Sequence, residues 1–180
     1  MTDGEYPPIE QLLPHRPPML LINRLVQTQG ATTVCEVTIG SHSMFLQTAG
    51  VPAFVGIEYM AQTVAAHGGY LSYLAGQPIV VGLLLGTRRL ETHCQFFEFG
   101  QSFHIAATHI WGKHELMRFR CAITHAASDV SLQRAELNVF KPVALQPYLE
   151  ENGHDDTRPY HRRQSRDRAG HRLGPIGPRS

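Results

Sequence analysis

Glu58 is the lone acid of a long, largely apolar segment running from Ser41 to Gly76. A carboxylate in such surroundings is rarely left without a partner or a task, and its pKa is expected to rise by desolvation unless a neighbour donates to it. That setting suits general acid or base work. Gln62, four residues on, shares the helical face of Glu58 and is placed to orient it. His67 lies about 180° round the same helix, which excludes it as the partner within one subunit. The chain has eleven histidines, three of them near its C-terminus, but none stands in HExxH or another ligand spacing, and Cys35, Cys94 and Cys121 form no CxxC pair. Neither a bound metal, a disulfide framework nor a cofactor is expected, and the thiols read as reduced and mostly buried.

A helix must carry Glu58. Pro52 fits its first position, and the usual glycine-then-proline signal at Gly76-Gln77-Pro78 ends it. Phe54, Ile57, Ala61, Val64, Ala65, Gly68 and Leu71 follow the three-then-four spacing of one apolar face, so the helix is expected to be enclosed. Gly56, Gly68 and Gly69 each cost about 1 kcal/mol of propensity relative to Ala, which predicts another backbone close by. Before it, Ile9 to Leu13 reads as a short helical turn. The prolines of Pro14-His15-Arg16-Pro17-Pro18 then hold an extended lead into a strand from Met19 to about Gln27. Gly30 turns the chain into a β-branched strand, Thr32 to Ile39, making a hairpin. After the helix come strands at Ile79 to Leu85 or somewhat beyond, Ser102 to Trp111, Glu115 to His125 and Asp129 to Phe140. The short links at Gly112-Lys113 and Ala127-Ser128 make the last three an antiparallel meander. One helix followed by consecutive strands is an α+β order, with the antiparallel sheet wrapped around one long central helix.

The 180 residues carry a net charge of +1, which argues against nucleic acid as the main partner. No run reaches the ~20 apolar residues of a membrane span, and no basic-then-apolar leader opens the sequence, so a cytoplasmic protein is the expectation. Residues 1–8 read as a flexible arm and 9–149 as the folded domain. Residues 150–180, rich in Arg, Asp, His, Gly and Pro with a net charge near +2, read as a disordered polar tail.

Two segments carry a family likeness: Leu13-Pro14-His15-Arg16-Pro17-Pro18-Met19-Leu20-Leu21-Ile22-Asn23-Arg24 and Gly56-Ile57-Glu58-Tyr59-Met60-Ala61-Gln62. Together with Gly82-Leu83-Leu84-Leu85-Gly86-Thr87-Arg88-Arg89 and the meander, they resemble the hot-dog 3-hydroxyacyl-acyl-carrier-protein dehydratases over about Ile9 to Pro142. The divergent branch attached to aryl polyene clusters is the nearer match. The resemblance implies a hot-dog fold, paired across a two-fold as a homodimer or heterodimer, with acyl tunnels at the subunit junction. It also implies loss of water from a 3-hydroxyacyl thioester on the phosphopantetheine of an acyl carrier protein, giving the trans-2-enoyl product. A histidine and an acid from different subunits do this work in the family.

Glu58 matches the family's carboxylate. The histidine does not match: counting back about fourteen residues lands on Met44, and Phe45-Leu46-Gln47 stands where His-Phe-Pro-Gly is usual. His15 from the proline-rich arm, a repositioned His42, or a chain that has lost half the dyad and works beside an active relative are the three explanations. Without chemistry, His15 would fasten the arm to the sheet through its two ring nitrogens, and His42 would be an exposed loop residue. Backbone donors near Ala53 and Phe54 are expected to serve the thioester oxygen, with Gln62, Leu84 and Gly86 in the substrate-binding set. Arg88, Arg89, Arg118 and Arg120 form the candidate docking patch for an acidic carrier protein. A hot-dog thioesterase, with Glu58 activating water or attacking the thioester carbonyl, and a non-catalytic subunit of a heterodimer are the alternatives.

Overall fold

A computed structural model of the chain describes residues 6–142 except residue 114; the expected tail and the end of the expected domain lie outside the described residues. The strands are β1 (Arg24–Gln29), β2 (Thr32–Thr38), β3 (Val51–Pro52), β4 (Leu83–Thr92), β5 (Phe96–Phe97), β6 (Ser102–Lys113), β7 (Leu116–His125) and β8 (Ser131–Phe140), and the helix α1 spans Gly56–Leu74. Six of the strands form one antiparallel sheet in the order β1-β2-β6-β7-β8-β4, and β3 pairs with β5 beside it. The sheet wraps α1, as expected of a hot-dog fold. No helix among the described residues is long and apolar enough to cross a membrane.

The hairpin forms as expected, with Gly30 supplying the positive φ of its turn (58°). Along β6, Phe103, Ile105 and Ala107 alternate inward and are buried, meeting Ile123 and Cys121 of β7 in register. Leu12, Leu13, Ile39, Met60 and Phe97 close the core. Gly69 shows why α1 keeps a glycine, since a Cβ there would come within 1.9 Å of the Leu12 carbonyl oxygen. Gly68 does not follow that reasoning, because a Cβ there would meet nothing within 4 Å.

Several boundaries differ from the sequence reading. Val51–Pro52 pairs with Phe96–Phe97, so Pro52 precedes a one-turn 3-10 helix at Ala53–Val55 instead of opening the α-helix. Tyr6 is not loose: its ring packs edge-on against Tyr70 at 5.5 Å, and its hydroxyl accepts the Thr28 N–H. Residues 15–21 are a compact turn, not an extended lead, because the Arg16 carbonyl accepts both the Met19 and Leu20 N–H groups. β1 therefore starts at Arg24, five residues later than expected. β4 likewise starts at Leu83 and runs through Arg88 and Arg89.

Candidate active site

Gln62 is fully buried and organises the surroundings of Glu58. Its Oε1 accepts the Leu21 N–H at 2.9 Å, while Nε2 donates to the Met19 carbonyl at 2.7 Å and to Glu58 Oε1 at 2.9 Å. One side chain thus fastens the proline-rich turn to α1 and orients the carboxylate. This also explains the late start of β1: the backbone groups of Met19 and Leu21 are paired with a helix side chain instead of a strand. Arg16 stiffens the same turn, donating to the Leu13 and His15 carbonyls at 2.8 and 2.7 Å.

The turn delivers His15. Its Nε2 stands 3.9 Å from Glu58 Oε1 within the same chain, with side chains 31% and 35% exposed. That separation exceeds hydrogen-bond reach, so the two groups are near each other without being tied to each other, and each can address a different atom of one substrate. Nδ1 of His15 is buried without a hydrogen-bond partner, so the second anchor expected of a purely fastening histidine is missing. His42 is exposed and lines a different depression, with Pro18, Asn23 and Tyr59. The structure brings His15, and not His42, to Glu58.

Both groups open onto a groove of about 840 Å³ that follows α1 past its C-terminal end. The expectation that the Phe54 to Leu71 face is enclosed is overturned. Ala61, Val64, Ala65, Gly68 and Leu71 line the groove, Leu71 is 54% exposed, and Phe54 is 68% exposed outside it. The buried residues of the helix are instead Gly56, Tyr59, Met60, Gln62, Thr63, Val64, Ala66 and Gly69, with Gln62 against the Met19–Leu21 backbone and Gly69 against Leu12. Small residues contribute to the gap: Ala61, Ala65 and Gly68 on the helix, and Gly82 and Gly112 elsewhere in the lining, put little or no side-chain volume into it. Glu58 accordingly sits at a groove wall, not in an enclosed core.

The remaining substrate-binding expectations divide. Leu84 lines the groove, whereas Gly86 does not. Ala53 and Phe54 also lie outside it. The Ala53 N–H already donates to the Gln95 carbonyl at 2.9 Å and its carbonyl accepts from Gln133 Nε2 at 2.7 Å, so it has no free donor for a thioester oxygen. Sequence reasoning missed His67, His109 and Lys141 in the lining. His109 continues the inward alternation of Phe103, Ile105 and Ala107, a period-two signal that would have found it.

Arg88, Arg89, Arg118 and Arg120 line one depression of about 540 Å³, joined there by Arg134, Glu91 and Glu136. Register assembles it: Arg118 lies opposite Asn138, Arg120 opposite Glu136, and Arg134 opposite Glu91. Arg120 and Arg89 each pair with a carboxylate at 3.2 Å, Glu136 and Glu91 respectively. Cys35 and Cys121 are buried, and burial pushes both thiols up to about 12, which makes them packing residues. Cys94 is half-buried, its thiol also raised by burial.

Comparison with known proteins sharpens the picture. No curated protein matches the chain. One chain of the dehydratase heterocomplex ApeI:P from Xenorhabdus doucetiae superposes with a TM-score of 0.74 at 24% identity, covering 82% of this chain and 99% of that one. A hypothetical thioesterase with coenzyme A from Streptococcus pneumoniae gives 0.52 at 10% identity over 66% and 84% of the two chains. The PaaI protein of the Escherichia coli phenylacetic acid degradation operon gives 0.51 at 7% identity, over 65% and 81%. At these identities the likeness establishes the hot-dog fold. The ApeP dehydratase family model matches residues 7–150, most of the chain. The chain belongs to the ApeP-like family of dehydratases.

Proposed function

We propose that this chain acts on 3-hydroxyacyl thioesters of an acyl carrier protein, removing water to give the trans-2-enoyl product. The observation that carries the reading is His15 Nε2 at 3.9 Å from Glu58 Oε1, at the wall of a groove of about 840 Å³ lined mainly by apolar and small residues. His15 takes the α-proton, and the thioester oxygen becomes enolate-like. Glu58, held by Gln62, gives a proton to the 3-hydroxyl as the C–O bond breaks, and water leaves. Each group ends in the other's starting protonation state, so a proton passed from the imidazolium to the carboxylate resets the pair.

A second hot-dog chain, either another copy or a related one, is proposed to complete the groove. β4 is an edge of the sheet, and Leu83, Leu84 and Leu85 on it are 37%, 38% and 60% exposed. An apolar edge strand with unpaired ladder groups is suited to pairing with a partner strand. The five-arginine depression is the proposed landing place of the acidic carrier protein.

Purified protein, alone and with its partner chain, given a 3-hydroxyacyl thioester tests the reading. Enoyl product supports it, free acid would instead favour a thioesterase, and no product under either condition sinks it. Glu58→Gln is expected to abolish turnover while leaving the melting temperature within a few degrees, since Glu58 is one-third exposed. His15→Asn should cost about 100-fold or more in kcat and His42→Ala little. Loss of activity only in the His42 variant would reassign the base.

A further inference from the structure

Gln133 of β8 is a fully buried polar side chain that the proposed chemistry leaves unused. Its Nε2 donates to the Ala53 carbonyl at 2.7 Å and to Thr92 Oγ1 at 3.2 Å, while its Oε1 is buried without a hydrogen-bond partner. An unpaired carbonyl in the interior costs stability, and leucine would fill the same place without that cost. The amide is therefore worth keeping for what its donor end holds. The Ala53 carbonyl also accepts the Gly56 N–H, so it closes the one-turn 3-10 helix at Ala53–Val55 from which α1 starts.

The other end of the amide bears on the same turn. A Cβ on Gly56 would come within 1.9 Å of Gln133 Oε1 and 3.1 Å of Ile123 Cδ1, and these two residues are register partners on β8 and β7. Gly56 is thus a glycine because of a side chain, and not because of the second backbone expected from the sequence. Glu58 follows two residues later, about 3 Å along the helix axis, so a shift at the turn is carried to the carboxylate with little chain between to absorb it. From the other side, Gln62 ties Glu58 Oε1 to the turn that bears His15. One glutamine joins the acid to the base-bearing turn, and a second joins the start of its helix to the sheet.

We infer that Gln133 is a positioning residue for Glu58, acting through the turn that starts α1 from a place outside the groove lining. Its kinetic arm rests on the dehydratase reading of Glu58 and His15. Gln133→Leu is compared with Ile105→Val, a truncation in the buried core away from that lining, in the full chain with its partner. Gln133→Leu is expected to lower kcat for a 3-hydroxyacyl thioester about ten- to 100-fold with KM within about twofold, because a small displacement of a catalytic group is felt in the chemical step. Ile105→Val should leave kcat within about twofold of wild type, since it moves no catalytic group. A second readout needs no turnover: the side-chain amide resonances of Gln62, which report its 2.9 Å bond to Glu58, should move in Gln133→Leu and stay in place in Ile105→Val. If Gln133→Leu does not fold, Thr92→Val, which removes the amide's other partner without touching α1, is read in the same two ways, with a loss in kcat of about three- to tenfold expected. Unchanged kcat, or a fall in kcat with the Gln62 amide unmoved, overturns the inference and leaves the dehydratase reading intact. A moved amide beside a wild type that turns over no substrate supports the inference and counts against dehydration. An unmoved amide and no wild-type turnover overturn both.

Discussion

Replacing Gln62 by methionine keeps the side chain's length and removes its polar atoms, so the consequences follow from three hydrogen bonds. The Leu21 N–H loses its acceptor, the Met19 carbonyl loses a donor, and Glu58 loses the amide that orients it. An orphaned, partly buried backbone N–H costs about 1–3 kcal/mol, and the Met19 carbonyl adds less because that residue is 41% exposed and water can reach it. The expected loss is therefore ~2–3 kcal/mol, measured as a lower denaturation midpoint with an unchanged slope. In a domain of this size that corresponds to a melting temperature lower on the order of 10 °C. Activity should fall more steeply than stability, because the turn carrying His15 is no longer held against α1; a drop of about 100-fold in kcat/KM is expected, the low end of a general acid–base contribution. Gln62→Glu makes a useful companion: it keeps an acceptor for Leu21 but sets a carboxylate against Glu58 and the Met19 carbonyl, so its defect should ease as pH falls. A Gln62→Met protein within ~0.5 kcal/mol of wild type and with normal kcat/KM would refute the proposed role of this side chain, since no orphaned group could then exist.

Two further outcomes follow from local geometry. Gly69→Ala should destabilise by about 1–3 kcal/mol or more, because its Cβ would meet the Leu12 carbonyl oxygen at 1.9 Å, whereas Gly68→Ala should stabilise by about 0.5–1 kcal/mol through helix propensity and narrow the groove; thermal melts of the pair, and turnover of long against short substrates, check both. Glu36 is held below its ordinary value of 4.5, chiefly by hydrogen bonds from Arg24 at 2.9 and 3.1 Å and secondarily by His104 at 3.5 Å. A depressed carboxylate contributes stability that is complete above 4.5 and is lost as pH falls through the lower folded value, so Glu36→Gln should flatten the acid limb of a stability–pH curve below 4.5 and leave its shape above unchanged. An acid limb identical to wild type would contradict it.

Local pattern was enough to read most of the scaffold from the sequence. Gly30 marked the hairpin, the links after Trp111 and His125 marked the meander, and apolar content with a glycine–proline stop marked the helix. All of these act over a few residues and are written in neighbouring side chains. The same reading located Glu58 and Gln62 and grouped Arg118 with Arg120 by strand alternation. Tertiary structure decided the rest. Spacing cannot tell a core face from a groove wall, because Ala61, Ala65 and Gly68 count as apolar or small in either setting; only the open space they line in the folded chain distinguishes them. Arg134 joins the other arginines through the register of β8 with β4. His15 reaches Glu58 across 43 positions because Gln62 captures the backbone of Met19 and Leu21. The sequence by itself determined which elements form, since torsional preference and periodicity are local; only the folded chain determined which side chains share a site, since packing and register join residues far apart in the chain.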